Sequence, residues 1–370
     1  MRFSCLSENL AKGLSVVSKA VSTKGSLPVL SHVLLQTEEG KVKLAATDLE
    51  TGVVTWVGAK IKDEGAITVP ARLLSELLTN LPPGKIEVET DRQILTLQAP
   101  QATSRLNGLP AEEFPSLPQA DGKAMFSLDP ESFPAAVSQV VFASASDENR
   151  PILTGVLIKG SGKELSLVGV DGFRLAEKKI ELEEDLAEDF SMVIPSRTLA
   201  EVGRLAGHQE KPVKVVLLSE ENQVLFELDG SRVSSRLLEG QFPDYKKIIP
   251  PSFSTQAKLD TEEFLKAVRL AAVFARDSAS IVKLHLDEEG PLTLSANTAE
   301  VGENKTKVEA KIEGESLEIA FNSKYLTDVL SNLQSEKVIF EASGPLSPGV
   351  FKPAKSSNYL HLIMPVRTAS

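Results

Sequence analysis

Cysteine is almost absent from the chain: Cys5 is the only one in 370 residues. That excludes an intrachain disulfide and a cysteine-built metal cluster, and it fits a reducing compartment. The four histidines, His32, His208, His285 and His361, are scattered, and no two stand at metal-ligand spacing. No serine lies in a G-x-S-x-G elbow. Long apolar runs are also missing. Nowhere do about 18 apolar residues follow one another, which excludes a membrane-spanning helix. The opening Met1-Arg2-Phe3-Ser4-Cys5-Leu6-Ser7-Glu8-Asn9 turns polar at once and lacks the apolar core of a signal peptide. A cytoplasmic location is expected, without metal or other cofactor. Low-complexity segments are lacking too.

What is present is the composition of an ordinary globular protein, 42% hydrophobic and 25% charged. The net charge of −11 argues against a generally basic nucleic-acid coat but leaves room for a local basic face. One phrase occurs three times. Ile67-Thr68-Val69-Pro70-Ala71-Arg72-Leu73-Leu74, Met192-Val193-Ile194-Pro195-Ser196-Arg197-Thr198-Leu199 and Ile319-Ala320-Phe321-Asn322-Ser323-Lys324-Tyr325-Leu326 each read as a buried strand entering an amphipathic helix. Pro70, Pro195 and Asn322 are spaced 195 − 70 = 125 and 322 − 195 = 127 residues apart. Solenoid repeats run at roughly 20–50 residues, so this period is that of a whole domain. Two positions on, each copy carries a cation: Arg72, Arg197, Lys324.

A first helix repeats as well. Strands around Phe3, Phe126 and Ala257 end in Ser7, Asp129 and Asp260, which suit helix entrances, and Pro130 suits a first helical turn. Leu10, Leu14, Val17 and Val21 follow at helical spacing; so do Phe133, Ala136/Val137 and Val140, and Phe264, Val268 and Ala271. Strands are then expected over 27–35, 151–158 and 280–286. Asp48 and Asp171 hold equivalent turn positions, which suggests turn capping rather than a pair of catalytic acids. Asp229-Gly230 marks a hairpin. Gly160-Ser161-Gly162-Lys163 imitates part of a phosphate loop, but no glycine precedes Gly162 by five, and a hairpin turn is expected. Two proline-stiffened linkers, Leu109 to Pro118 and Leu238 to Pro251, both carry Phe-Pro and read as fixed joints. The reading is three similar α+β domains over 1–120, 121–250 and 251–370, each with two helices on one side of antiparallel sheets of about eight strands.

Leu109-Pro110-x-x-x-Phe114-Pro115, Val170-Asp171-Gly172-Phe173-Arg174-Leu175-Ala176, Phe242-Pro243-Asp244-Tyr245-Lys246-Lys247 and Met364-Pro365-Val366-Arg367, in this order and on a threefold repeat, resemble the bacterial DNA polymerase III beta subunit family, the replicative sliding clamps. The resemblance runs from Met1 to Arg367. It implies three clamp-type domains per chain and a head-to-tail homodimer forming a six-domain ring around duplex DNA. It also implies a tethering role without catalysis. The implied partners are duplex DNA, the DNA polymerase III alpha subunit, the clamp loader and other replication and repair proteins with clamp-binding peptides, with no membrane.

A ring that slides must attract phosphates without reading bases. Lys12, Lys24, Arg72, Arg197, Lys266, Arg269 and Lys324 are the candidate contacts, with Lys19, Arg204 and Arg276 beside them; ordinary solvated helix faces are the alternative. By resemblance a peptide groove is formed by Leu153, Val170, Phe173, Arg174, Leu175, Pro243, Lys247, Ile248, Leu346, Pro348, Leu362, Met364, Pro365, Val366 and Arg367. Plain core burial is the alternative, strongest for Val170 and Leu153. The family often has threonine and histidine where Val170 and Phe173 stand, and methionine where Val366 stands, so a drier pocket is expected. The resemblance places the dimer contact at Ser104, Arg105 and Leu106 on one side and Val273 and Phe274 on the other, with Phe274 as an anchor. Two other readings stay open: an adaptor of the same fold that never encircles DNA, and a hydrolase using His208 or Asp171.

Overall fold

The computed structural model describes residues 1–22, 27–119, 124–147, 149–276, 279–288, 290–298 and 302–367. Its helices are α1 (Ser7–Val17), α2 (Ala71–Asn80), α3 (Ser132–Ser138), α4 (Ser196–Ala206), α5 (Thr261–Ala275) and α6 (Ser323–Asn332). The chain gathers into two compact units, one of Met1–Glu131 with Glu201–Leu237 and one of Ser132–Ala200 with Leu238–Ser370. No described helix is long and apolar enough to cross a membrane.

In the first unit Lys60–Asp63, Arg2–Leu6, Lys85–Asp91, Ile94–Ala99 and Ala102–Asn107 lie in that order in a five-stranded antiparallel sheet. An eight-stranded sheet runs Phe126–Leu128, Val213–Leu218, Gln223–Leu228, Ser231–Arg236, Thr51–Gly58, Lys41–Thr47, His32–Glu38, Ala66–Pro70. It is continuous across the first repeat boundary, because Ser231–Arg236 pairs with Thr51–Gly58. Leu10, Leu14 and Val17 turn α1 inward against Lys41–Thr47, Thr51–Gly58 and α2. Gly13 permits that close approach: a Cβ there would stand 2.5 Å from Val57 Cγ2.

The second unit repeats the plan. A nine-stranded sheet runs Phe190–Pro195, Gly155–Ser161, Glu164–Val170, Arg174–Glu181, Tyr359–Ile363, Gly349–Pro353, Lys337–Ala342, Thr255–Asp260, Ala310–Gly314. A four-stranded sheet runs Gly302–Val308, Leu292–Thr298, Ile281–Leu286, Leu317–Asn322, with α5 packed on it and on α6. Phe321, Phe340 and Phe351, all fully buried, interlock at 5.0–6.1 Å between ring centres.

The three thirds each supply two helices, as the repeat implies, but several local expectations shift. The strand expected from Leu27 starts at His32; Pro28–Ser31 is a 3-10 turn, closed by Ser31 Oγ donating to the Pro28 carbonyl at 2.7 Å. Pro151–Thr154 is its counterpart, closed by Thr154 Oγ1 donating to the Pro151 carbonyl at 2.7 Å. Proline's fixed φ starts a helical turn more readily than a ladder that needs its missing N–H. Val21 and Val140 lie beyond their helices, and Pro130 precedes α3 rather than opening it. Asp260 caps α5 through the Glu262 and Glu263 amides, whereas Ser7 accepts from the Gly84 amide instead of its own helix. Both hairpins form as expected, with Gly162 at φ +56° and Gly230 at φ +77°. Phe114 and Leu117 of the first linker pack on Leu34, Ala45 and Val54; Leu238, Phe242 and Ile249 of the second pack on a core that includes Leu157, Val168 and Leu175. Cys5 is buried in its strand, and burial pushes the thiol up to about 12.

Phe351→Ala should lower the chemical-denaturation midpoint by the equivalent of about 3–5 kcal/mol, because it empties the centre of the aromatic cluster. A near-wild-type midpoint would show that the cluster collapses around the gap.

Candidate functional site

Three of the four motif segments, residues 170–176, 242–247 and 364–367, lie where the nine-stranded sheet crosses from Arg174–Glu181 to Tyr359–Ile363, while 109–115 lies in the first unit. Arg174 stands opposite Ile363 and Leu175 opposite Leu362. The chain beyond stays tethered: the Met364 amide donates to the Phe173 carbonyl and the Val366 amide to the Ala320 carbonyl, both at 2.8 Å. The expected groove residues divide into two populations. Leu153, Val170, Arg174, Leu175 and Leu362 are buried, and Val170, Leu175 and Leu362 belong to a core shared with Leu157, Val168, Val193, Tyr245 and Val350. Phe173 (58% exposed), Ile248, Leu346 (60%) and Met364 stand out as apolar groups in water. Pro243, Lys247 and Arg367 are exposed, Pro348, Pro365 and Val366 are half-buried, and Lys247 pairs with Asp244 at 3.0 Å. Leu346, Val366 and Arg367 line a cleft of about 380 Å³. The arrangement is a packed floor with exposed apolar groups around it, a greasy rim in which Phe173 is tied to Met364 through the backbone and Leu346 stands beside Val366.

Arg174 is the electrostatic centre of this region, only 8% exposed along its side chain. Its Nε donates to Asp171 Oδ2 at 2.9 Å, its Nη1 to Asp328 Oδ2 at 2.5 Å and its Nη2 to the Phe142 carbonyl at 2.6 Å. The Phe142 and Tyr325 rings bracket the guanidinium at 5.4 and 4.5 Å. Asp171 Oδ1 meanwhile accepts from the Phe173 and Arg174 amides at 2.8 and 2.9 Å, so it caps the turn as expected. Sequence reasoning misses Phe142, Tyr325 and Asp328. No spacing signal joins them to Arg174, since Asp328 lies 154 residues along the chain from it. Tyr245 donates to Glu177 Oε1 at 3.0 Å; burial, then that carboxylate, pushes its phenol above the ordinary range.

The expected cations are exposed on their helices. Lys12 lies on α1 and Arg72 on the adjoining α2; Lys266 and Arg269 lie on α5 and Lys324 on the adjoining α6; Arg197 opens α4. Lys24 falls outside the described residues. Arg72 is paired with Glu76 at 2.9 Å and Lys266 with Glu262 at 2.6 Å, both in solvent-exposed pairs. Lys19 and Arg276 are exposed as well, and Arg204 is paired with Glu201. With Arg204 and His208, Lys12 lines a cleft of about 670 Å³. The short α3 carries no cation.

At the expected dimer contacts, Ser104 is half-buried and Arg105 exposed, but Leu106 is buried in its own core. Phe274 is half-buried and its carbonyl accepts from the Thr298 hydroxyl; Val273 (51%) and Leu270 (48%) are the more exposed groups on α5. The expected anchor is thus partly claimed by its own domain.

Comparison with known proteins covers the whole chain. The family models for the N-terminal, central and C-terminal domains of the DNA polymerase III beta subunit match residues 1–118, 127–244 and 246–367. The chain is 33% identical to the beta sliding clamp of Synechocystis sp. over 388 residues, covering 99% of each, and 32% identical to that of Bacillus subtilis over 381 residues, covering all of both. Among solved structures it is similar to the Bacillus subtilis DNA polymerase sliding clamp, with TM-score 0.94 at 30% identity. It is also similar to the Pseudomonas aeruginosa clamp bound to griselimycin, with TM-score 0.93 at 30% identity; each covers the full length of both chains.

His361 is fully buried beside this centre, stacked on Phe142 at 5.3 Å. Burial, helped by the Arg174 charge, holds its pKa down to about 3, so the ring is neutral in the fold. In the unfolded chain it titrates near ~6.5. The stability it contributes is therefore present above about pH 6.5 and lost as pH falls toward 3, by up to about 1.4 kcal/mol per pH unit. His361→Phe should flatten that part of the pH profile of the denaturation midpoint. An unchanged profile would assign the proton uptake to other groups.

Proposed function

Because the chain belongs to the DNA polymerase III beta subunit family of sliding clamps, we propose that it acts as a closed homodimeric ring around duplex DNA. Its role is that of a DNA polymerase processivity factor. The observation that carries the ring is the pair of unfinished sheets. Ala102–Asn107 is the margin of a five-stranded sheet and Gly302–Val308 the margin of a four-stranded one. Edge strands with open amides and carbonyls invite pairing. Joined between two protomers, these sheets would match the nine-stranded sheet in width. Exposed apolar groups flank both margins: Ile94, which pairs with Asn107, on one side, and Leu270 and Val273 of α5 on the other.

Within the ring, Lys12, Lys24, Arg72, Arg197, Lys266, Arg269 and Lys324 are proposed to meet phosphates without reading sequence. The exposed pairs that Arg72 and Lys266 make are screened by solvent and contribute little. A phosphate therefore replaces the carboxylate at little cost. On the outside, the rim of Phe173, Ile248, Leu346 and Met364 suits the leucine and phenylalanine side chains of a partner peptide, each worth roughly 1.5–3 kcal/mol if fully buried. The polymerase alpha subunit, the clamp loader and repair proteins would take turns there. No catalysis is proposed, since Asp171 is engaged by the turn and by Arg174. An adaptor that never encircles DNA has no observation in its favour.

The ring is tested on nicked circular DNA, where the protein should be retained until the circle is cut. Val273→Ala with Phe274→Ala should shift dimer toward monomer and lose retention. Release that is indifferent to cutting would count against encirclement. A second test concerns the cations: with Arg72, Arg197 and Lys324 changed to alanine, the slope of log affinity against log salt should shrink by roughly 0.9 for each phosphate no longer neutralised. An unchanged slope would move the DNA path off these helices.

A further inference from the structure

The greasy rim is held from an unexpected side. Its most exposed ring, Phe173, is fixed at both ends of its own backbone: its amide donates to Asp171 Oδ1, and its carbonyl accepts from Met364. Asp171 in turn shares its second oxygen with Arg174, and Arg174 reaches Asp328 of α6. We propose that Asp328 is a positioning residue for the partner groove, acting through Arg174 and Asp171 to fix Phe173; the proposal rests on the reading that this groove takes a peptide.

The physical basis is a buried cation with two carboxylates. A nearly buried guanidinium that loses one of its charged partners is left undercompensated, and it recovers the interaction from what remains. Here the nearest remaining anion is Asp171, which also holds the Phe173 and Arg174 amides. A cleft of about 500 Å³, lined by Phe142, Arg150, Asp171, Phe173, Tyr325 and Asp328 among others, leaves room for Arg174 to swing toward water and draw Asp171 with it. Either movement releases the turn that presents Phe173. Tyr325 contributes from the same helix by stacking on the guanidinium, which keeps the group in the plane that serves both carboxylates. Arg174 lies at the start of its strand while Asp328 lies on α6, so a helix of the third repeat sets the shape of a turn in the second.

The test uses the full-length dimer and a fluorescein-labelled hexapeptide containing leucine and phenylalanine. Asp328→Asn keeps size and removes charge; it should weaken the peptide about tenfold, mainly by faster dissociation, with the dimer intact. In a Phe173→Ala background, the same Asp328→Asn change should have almost no further effect, because the ring it positions is gone. A general loosening of the fold would instead lower affinity equally in both backgrounds, and that result would overturn the proposal. So would wild-type affinity in Asp328→Asn. Should that variant fail to give a folded dimer, Tyr325→Leu carries the same double comparison with the same expected direction. If the unaltered chain does not bind the hexapeptide at all, the groove reading itself fails, which is a separate outcome from a failed link.

Discussion

Backbone pairing at sheet margins is the constraint on which the rest depends. A strand edge left open exposes amides and carbonyls that must find water or another strand. Within each unit this chain answers by joining one repeat to the next: Ser231–Arg236 lies along Thr51–Gly58, and Tyr359–Ile363 along Arg174–Glu181. Such a joint asks little of side-chain identity. The repeats therefore keep their plan while their residues drift, and Pro70, Pro195 and Asn322 serve the same strand-to-helix corner with different chemistry.

The two joints share this plan and differ in what faces the linker. At the first, Trp56 donates to Glu38 at 3.0 Å and Arg232 lies over the Trp56 ring, while Phe114 and Leu117 cover Leu34, Ala45 and Val54. At the second, the corresponding added strand brings Leu360 and Leu362, and the apolar surplus spills onto an exposed rim. The first joint thus keeps a cleft of about 580 Å³ with Glu38, Lys43 and Arg232 in its walls, and the second adds exposed apolar side chains.

Much of this is legible in the chain. The repeat spacing, the Phe-Pro linkers, both glycine hairpins and the turn role of Asp171 all follow from local rules, because a proline or a glycine constrains its own backbone wherever it sits. The start of the strand at His32 escapes such rules because an apolar run does not distinguish a 3-10 turn from a strand. The split of the groove into floor and rim is not legible, since Leu175 and Phe173 are both apolar and two residues apart, and they part only because the strand begins at Arg174, leaving Phe173 in the exposed turn before it. Asp328 is hidden for another reason. Its partner Arg174 lies 154 residues away, and spacing along the chain carries no trace of such a pair.

The burial of Cys5 has a practical side. A thiol whose pKa stands near 12 offers almost no thiolate at neutral pH, and the thiolate is the reacting species. With no second cysteine in the chain, the native protein is close to silent toward maleimides and disulfide reagents. A cysteine placed on any exposed strand or helix would thus report alone, which makes the unaltered sequence a ready background for mapping distances by crosslinking or attached dyes.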